Sequence, residues 1–99
     1  ARVAIARAAN GLLRIQGVDA SFVAVQVGNG VNVSARSMGA VNVQVIMESL
    51  GGGGHQTMAA AQLKHITPQA ARSRIQDAID QYYLSQKKTT PEARPAKGE

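Results

Sequence analysis

The sequence predicts a small single α/β domain in which a sheet containing a β-hairpin packs against helices. Three observations carry that prediction. A run rich in β-branched residues meets Gly28-Asn29-Gly30 and returns as an alternating strand. An apolar spacing of helical period over Val43, Ile46, Met47 and Leu50 stops at Gly51. Thr67-Pro68 then opens a long amphipathic stretch. The chain has 99 residues, 44% of them hydrophobic, which suits one domain with one core.

Taken in order, residues 3–15 place Val3, Ala6, Leu12 and Leu13 within helical reach of one another, and the spacing predicts an N-terminal helix weakened by Gly11. Ser21 to Val27 reads as a strand, and Asn29-Gly30 supplies the positive φ values of a tight hairpin turn. The returning strand, Val31 to Ser37, puts Val31, Val33 and Ala35 on a core face and Asn32, Ser34 and Arg36 on the opposite, polar face. Val41 to Val45 alternates as a strand does, but the i, i+3, i+4, i+7 apolar set favours a helix capped by Asn42 and ended by Gly51. Met58 to Leu63 reads as a short buried strand or a turn leading into one. Thr67 as a cap and Pro68 at the first helical position start a last helix, lined by Ala71, Ile75, Ala78, Ile79 and Tyr82 and running to about Ser85. Residues 1–86 therefore form the domain. Residues 87–99 lack an apolar period and are expected to be a disordered tail.

Composition narrows the function classes. Eleven Lys and Arg against six Asp and Glu give a net charge of +5, which favours anionic partners, although part of the excess lies near the termini. Three aromatic residues and no Trp argue against a platform of stacked bases. Without cysteine the chain has neither disulfides nor thiolate metal sites, and a reducing compartment suits it. No apolar run approaches the roughly 20 residues that span a bilayer, so no membrane contact by this segment is expected. The opening Ala1-Arg2-Val3-Ala4 reads as a cut through a longer chain rather than a signal peptide.

The feature richest in chemistry is Gly51-Gly52-Gly53-Gly54-His55. Four glycines allow backbone to approach a ligand closely, successive amide N–H groups can form a nest around phosphate oxygens, and His55 adds a donor or a charge. The alternative is a flexible structural loop. Ser34, Arg36 and Ser37 form a second polar cluster that could hold phosphate through a bidentate guanidinium and hydroxyls, although spacing alone favours a solvated strand face. His55 and His65 are the only histidines and no carboxylates cluster with them, so no metal site is expected in this chain. No serine has a recognisable base partner nearby, so no catalytic residue is assigned. These residues suggest binding without bond-breaking machinery.

The string from Asn42 to His55, followed by Ala59-Ala60 and preceded by Ala20-Ser21-Phe22-Val23 and Ser34-Ala35-Arg36-Ser37, resembles the C-terminal DHH-associated domain (first subfamily) of DHH phosphoesterases. The resemblance covers roughly residues 8–84 and is greatest to the branch of bacterial cyclic-di-AMP phosphodiesterases. It implies the DHH-associated domain fold and a two-lobed parent. In such a parent a DHH lobe, named for an Asp-His-His motif, holds two divalent metals, typically manganese, and makes the attacking hydroxide.

The present lobe would close over the nucleotide, with Gly52, Gly53, Gly54 and His55 contacting it and Ser34, Arg36 and Ser37 holding phosphate or base. This chain contains no Asp-His-His string. What the resemblance implies is therefore the substrate-binding lobe of a phosphodiesterase that converts cyclic-di-AMP to pApA, inactive alone, with no cofactor of its own. The alternatives are a short-oligonucleotide exonuclease like nanoRNase or RecJ, and a non-catalytic nucleotide-binding module. The implied partners are a cyclic dinucleotide or short oligonucleotide and the N-terminal DHH lobe, with a homodimer left open. The implied location is cytoplasmic, in a parent anchored in the bacterial membrane.

Overall fold

The computed structural model of the chain describes residues 3–7 and 12–89. Strands β1 (Ile5–Arg7), β2 (Leu12–Ile15), β3 (Ala20–Val27) and β4 (Gly30–Ser37) precede helix α1 (Val43–Ser49). Strands β5 (Gly53–Gly54) and β6 (Met58–Leu63) and helix α2 (Pro68–Thr89) complete the order. The strands form one six-stranded sheet in the order β1-β2-β3-β4-β6-β5, every neighbouring pair antiparallel. The α/β class with a hairpin packed against helices is thus as the sequence predicts.

Both helices cover the same face of the sheet. Phe22 from β3, Val31, Val33 and Ala35 from β4, and Ala59, Ala61 and Leu63 from β6 join Val43, Ile46 and Met47 from α1 and Ala71, Ile75, Ala78 and Ile79 from α2 in a single buried cluster. Strand alternation then turns the intervening residues to the other face, which no described helix covers.

The N-terminal segment departs from expectation. The described residues of the expected helix, 3–7 and 12–15, are not helical: β1 and β2 pair as antiparallel strands, Ile5 opposite Ile15 and Ala6 opposite Arg14. Leu13 and Ile15 are buried while Arg14 between them is exposed, a period of two that the broad spread of small apolar residues conceals. Val3 is tied to α2, its N–H donating to Asp80 Oδ1 (2.8 Å) and its carbonyl accepting from Gln76 Nε2 (2.9 Å).

Elsewhere local chemistry sets most boundaries as read. The hairpin forms where expected, but its positive φ lies at Gly28 (+59°) rather than at Asn29 or Gly30, because Gly30 already pairs with Val27 and the two-residue turn is Gly28-Asn29. Asn42 caps α1, its Oδ1 accepting from the N–H groups of Gln44 and Val45. Met58–Leu63 takes the strand alternative. Thr67 Oγ1 accepts from Ala70 N–H (3.1 Å) at the start of α2. That helix continues through Thr89, so residues 87–89, assigned to the disordered tail, are helical. The rest of that tail lies outside the described residues.

Candidate functional site

The open face of the sheet gathers the polar residues into rows, because residues paired across antiparallel strands project to the same side. One row runs Arg14–Ser21–Arg36–Met58, through the pairings of β2 with β3, β3 with β4 and β4 with β6. The hairpin extends it to His55, whose N–H donates to the Met58 carbonyl (2.7 Å) while its own carbonyl accepts from Met58 N–H (3.3 Å). A second row runs Leu12–Val23–Ser34–Ala60–Gly53, and a third Val25–Asn32–Gln62. Neighbouring strands lie roughly 4.8 Å apart, so Arg14, Arg36 and His55 recur about every 10 Å along the first row. All three are exposed, and no carboxylate stands in that row.

Ser34 and Arg36 are therefore together, on the face the sequence assigns to them. Ser37 is not with them. It sits at an odd position with Val31, Val33 and Ala35, is only 4% exposed on the core side, and its Oγ accepts from Gly39 N–H (3.2 Å) in the turn after β4. Its grouping with Ser34 and Arg36 follows adjacency in sequence, whereas the period of two separates it from them.

The glycine run divides into different roles. Gly51 has φ +89° and follows the last residues of α1; its N–H donates to the Glu48 carbonyl (3.0 Å) and that of Gly52 to the Met47 carbonyl (2.8 Å), the pair of bonds of a Schellman motif. A Cβ on Gly52 would strike the Ala60 carbonyl oxygen and lie 2.6 Å from Ala61 Cα. Gly54 combines φ +144° with a virtual Cβ 2.5 Å from Ala59 Cα. Only Gly53 has neither a positive φ nor a neighbour within 4 Å of a virtual Cβ.

With the N–H groups of Gly51, Gly52 and His55 donating to backbone carbonyls, the run does not form the expected phosphate nest. Ladder alternation assigns Gly53 N–H to Ala60 and leaves Gly54 N–H directed at the free edge. Three of the four glycines are thus required by the fold. Gly53 is the one whose missing side chain serves only the open face.

The hairpin that carries His55 is held from two sides. Gln56 carbonyl accepts from Val43 N–H at the start of α1, and Thr57 carbonyl accepts from Ser37 N–H at the end of β4, each at 3.0 Å. A groove of about 540 Å³ opens beside this region, lined by Asn32, Ser34, Gly52, Ala60, Gln62 and Lys64 among others. The sequence does not single out Arg14, because its spacing predicts a helix there, nor Gln62 and Lys64. The alternation of Leu13, Arg14 and Ile15 was the available signal for Arg14.

Among the described residues no group of three His, Asp or Glu side chains could hold a metal ion. The donor set does not fit the pair of divalent metals that the resemblance places in the other lobe. No described helix is long and apolar enough to cross a membrane.

Comparison with known proteins adds a family. The DHHA1 domain matches residues 2–84. The chain is 54% identical over 83 residues to the cyclic-di-AMP phosphodiesterase GdpP of Geobacillus thermodenitrificans, covering 83% of this chain and 13% of that protein. It is 52% identical over 83 residues to GdpP of Bacillus subtilis, with the same coverage of both chains. It is 49% identical over 82 residues to the cyclic-di-AMP phosphodiesterase PdeA of Listeria monocytogenes, covering 82% of this chain and 12% of that protein. The chain thus spans about an eighth of the length of these relatives.

Proposed function

We propose, from the premise that this chain belongs to the DHHA1 domain family, that it is the substrate-holding lobe of a phosphodiesterase converting cyclic-di-AMP to pApA. The observation that carries the reading is the row Arg14–Ser21–Arg36–Met58–His55 on the uncovered sheet face, next to the surface that Gly53 leaves clear. Guanidinium groups bind phosphate oxygens through paired, charge-assisted hydrogen bonds, and the two arginines with His55 offer such donors in a row that itself holds no carboxylate, Asp19 lining the surface beside Arg14 and Arg36. The names of the relatives supply the substrate.

In this reading Arg36, Ser34 and His55 hold the phosphodiester, while Gly53 leaves the ligand's path clear and Gly52 and Gly54 let the loop pack closely against β6 beside it. Gly54 N–H adds a donor at the edge. The chain orients the scissile group and supplies positive charge beside it. When bound, two divalent metals such as manganese would supply the nucleophile and stabilise the leaving oxygen. The proposal puts them in a DHH lobe outside this chain, in keeping with the lack of a three-ligand cluster among the described residues. That partner lobe, an anchored parent in a bacterial membrane and a cytoplasmic site of action belong to the same proposal.

The test is turnover by the intact protein that carries this domain, with manganese, followed by chromatography. Cyclic-di-AMP should disappear as pApA forms. If cyclic-di-AMP persists while a linear pentanucleotide is degraded, the oligonucleotide exonuclease is the correct reading.

A further inference from the structure

We propose that Asn32 and Gln62 form an adenine-reading pair, setting the base preference of the site whose phosphate end is the Arg36 and His55 row. The inference rests on the nucleotide-holding reading above and adds a base subsite to it.

The two residues face each other across β4 and β6. The hairpin turn fixes how. Val27 opposite Gly30 closes a two-residue loop, so the backbone groups of even-numbered β4 residues point to β3 and those of odd-numbered ones to β6. The bond from Ser37 N–H to the Thr57 carbonyl agrees. Asn32 and Gln62 are therefore a non-hydrogen-bonded pair, the kind in which opposed side chains approach most closely. Both are exposed on the open face and both line the groove of about 540 Å³. Among the described residues neither side-chain amide has a hydrogen-bond partner.

The backbone of Gln62 adds to this. Along β6, the groups of Met58 and Ala60 are directed toward His55 and Gly53, and by the same alternation those of Gln62 point to that side as well. There β5 has already ended and the chain has turned into the cap of α1. One N–H and one C=O thus face the groove with no strand partner among the described residues, beside the two amides.

Each carboxamide presents a donor and an acceptor in one plane. Adenine offers the complementary pair, an N6 amino donor beside a ring-nitrogen acceptor, which is why Asn and Gln recognise it in a bidentate manner. Guanine offers two acceptors on its O6/N7 edge and two donors on its N1/N2 edge, so a carboxamide satisfies half of either. Asn32 and Arg36 are four positions apart on β4, roughly 13 Å of strand. That length lets a nucleotide lay its phosphate on one row and its base on the other. Ser34, Ala60 and Gly53 lie between them with short side chains or none.

The experiment compares binding of pApA and pGpG to the intact protein by calorimetry, in wild type, Asn32→Ala, Gln62→Ala and Gln62→Glu. Wild type should prefer pApA, and each alanine variant should lose roughly 5- to 150-fold of that preference. Gln62→Glu should move it toward pGpG, since a carboxylate only accepts and guanine's N1–H and N2–H both donate. Unchanged thermal midpoints would show that the exposed substitutions leave the fold intact. A wild type without base preference, or variants that keep it, would overturn the pair as a base reader. Turnover of cyclic-di-AMP by the same wild-type preparation reports separately on the phosphodiesterase reading, so the two can fail independently.

Discussion

The backbone N–H of Asn42 donates to the phenolic oxygen of Tyr82 at 3.0 Å. Tyr82 is buried against the core on α2, and Asn42 is the residue whose side chain caps α1. Val43, next in sequence, donates to the carbonyl of Gln56 in the hairpin that carries His55. The far end of α1 delivers Gly51 and Gly52. A phenol on the last helix therefore steadies the short helix from which the whole glycine loop hangs.

Tyr82→Phe should cost about 1 kcal/mol of stability, the net worth of one such hydrogen bond, because the Asn42 donor loses its acceptor without loss of packing. Asn42→Ala should cost about as much by removing the cap. Urea unfolding with an unchanged m-value would measure both. A phenylalanine variant as stable as wild type would show that water replaces the phenol at no cost.

Gly52→Ala and Gly53→Ala should differ in kind. The first drives a methyl into the Ala60 carbonyl and Ala61, and overpacking of this sort costs about 1–3 kcal/mol. The second adds a methyl in open space and should change stability by less than about 0.5 kcal/mol. It should nevertheless weaken pApA binding to the intact protein. If Gly53→Ala binds as wild type does, the cleared surface is not where the ligand lies.

Arg36→Ala should raise KM for cyclic-di-AMP roughly tenfold with little change in kcat, the signature of uniform binding lost. Arg14→Ala should act in the same direction. Neither should alter the unfolding midpoint noticeably, since both side chains are exposed. An unchanged KM would return these arginines to the role of solvated charges.

His55→Ala in the intact protein should lower kcat/KM by about tenfold or more while the hairpin stays folded, because its bonds to Met58 are made by backbone. Circular dichroism with parallel kinetics would check it. Wild-type turnover would exclude His55 from the site.

Burial holds the Tyr83 phenol above its ordinary pKa of 10.0, and the neighbouring Tyr82 adds to the shift. A raised folded-state pKa favours the protonated native form. Its contribution is complete below the unfolded value and is lost as pH rises through the folded one, so stability should fall on the alkaline side of pH 10. Tyr83→Phe should flatten that limb in a series of urea midpoints against pH, and an equally steep limb in the variant would assign the loss to other groups.

The hairpin, α1 and α2 were legible because each carries its own local chemistry: a Gly-Asn-Gly turn whose positive φ falls at Gly28 and not at the Asn29-Gly30 pair expected to supply it, a side-chain cap at Asn42, Thr67 before Pro68. The first two strands were not. Ile5, Leu13 and Ile15 become a strand pair only when β3 offers Phe22 and Val23 as partners, a tertiary preference invisible to a window of the sequence. The same limit hid Arg14. It also made Ser37, a neighbour of Arg36 in sequence, look like its neighbour in space. The Gly-Gly-Gly-Gly-His string was conspicuous, but its length overstated the chemistry. The helix cap and the close strand crossing use three of the glycines, which only a three-dimensional register reveals.

An exposed sheet margin is ordinarily a hazard, because a row of unpaired amides can template pairing with another chain. Here β5 is two residues long, both of them glycine, and the chain bends into α1 directly before it. Such a margin is too short and too poor in side chains to nucleate an intermolecular sheet. The brevity that leaves Gln62 accessible to a small ligand thus also protects the protein from self-association along that side.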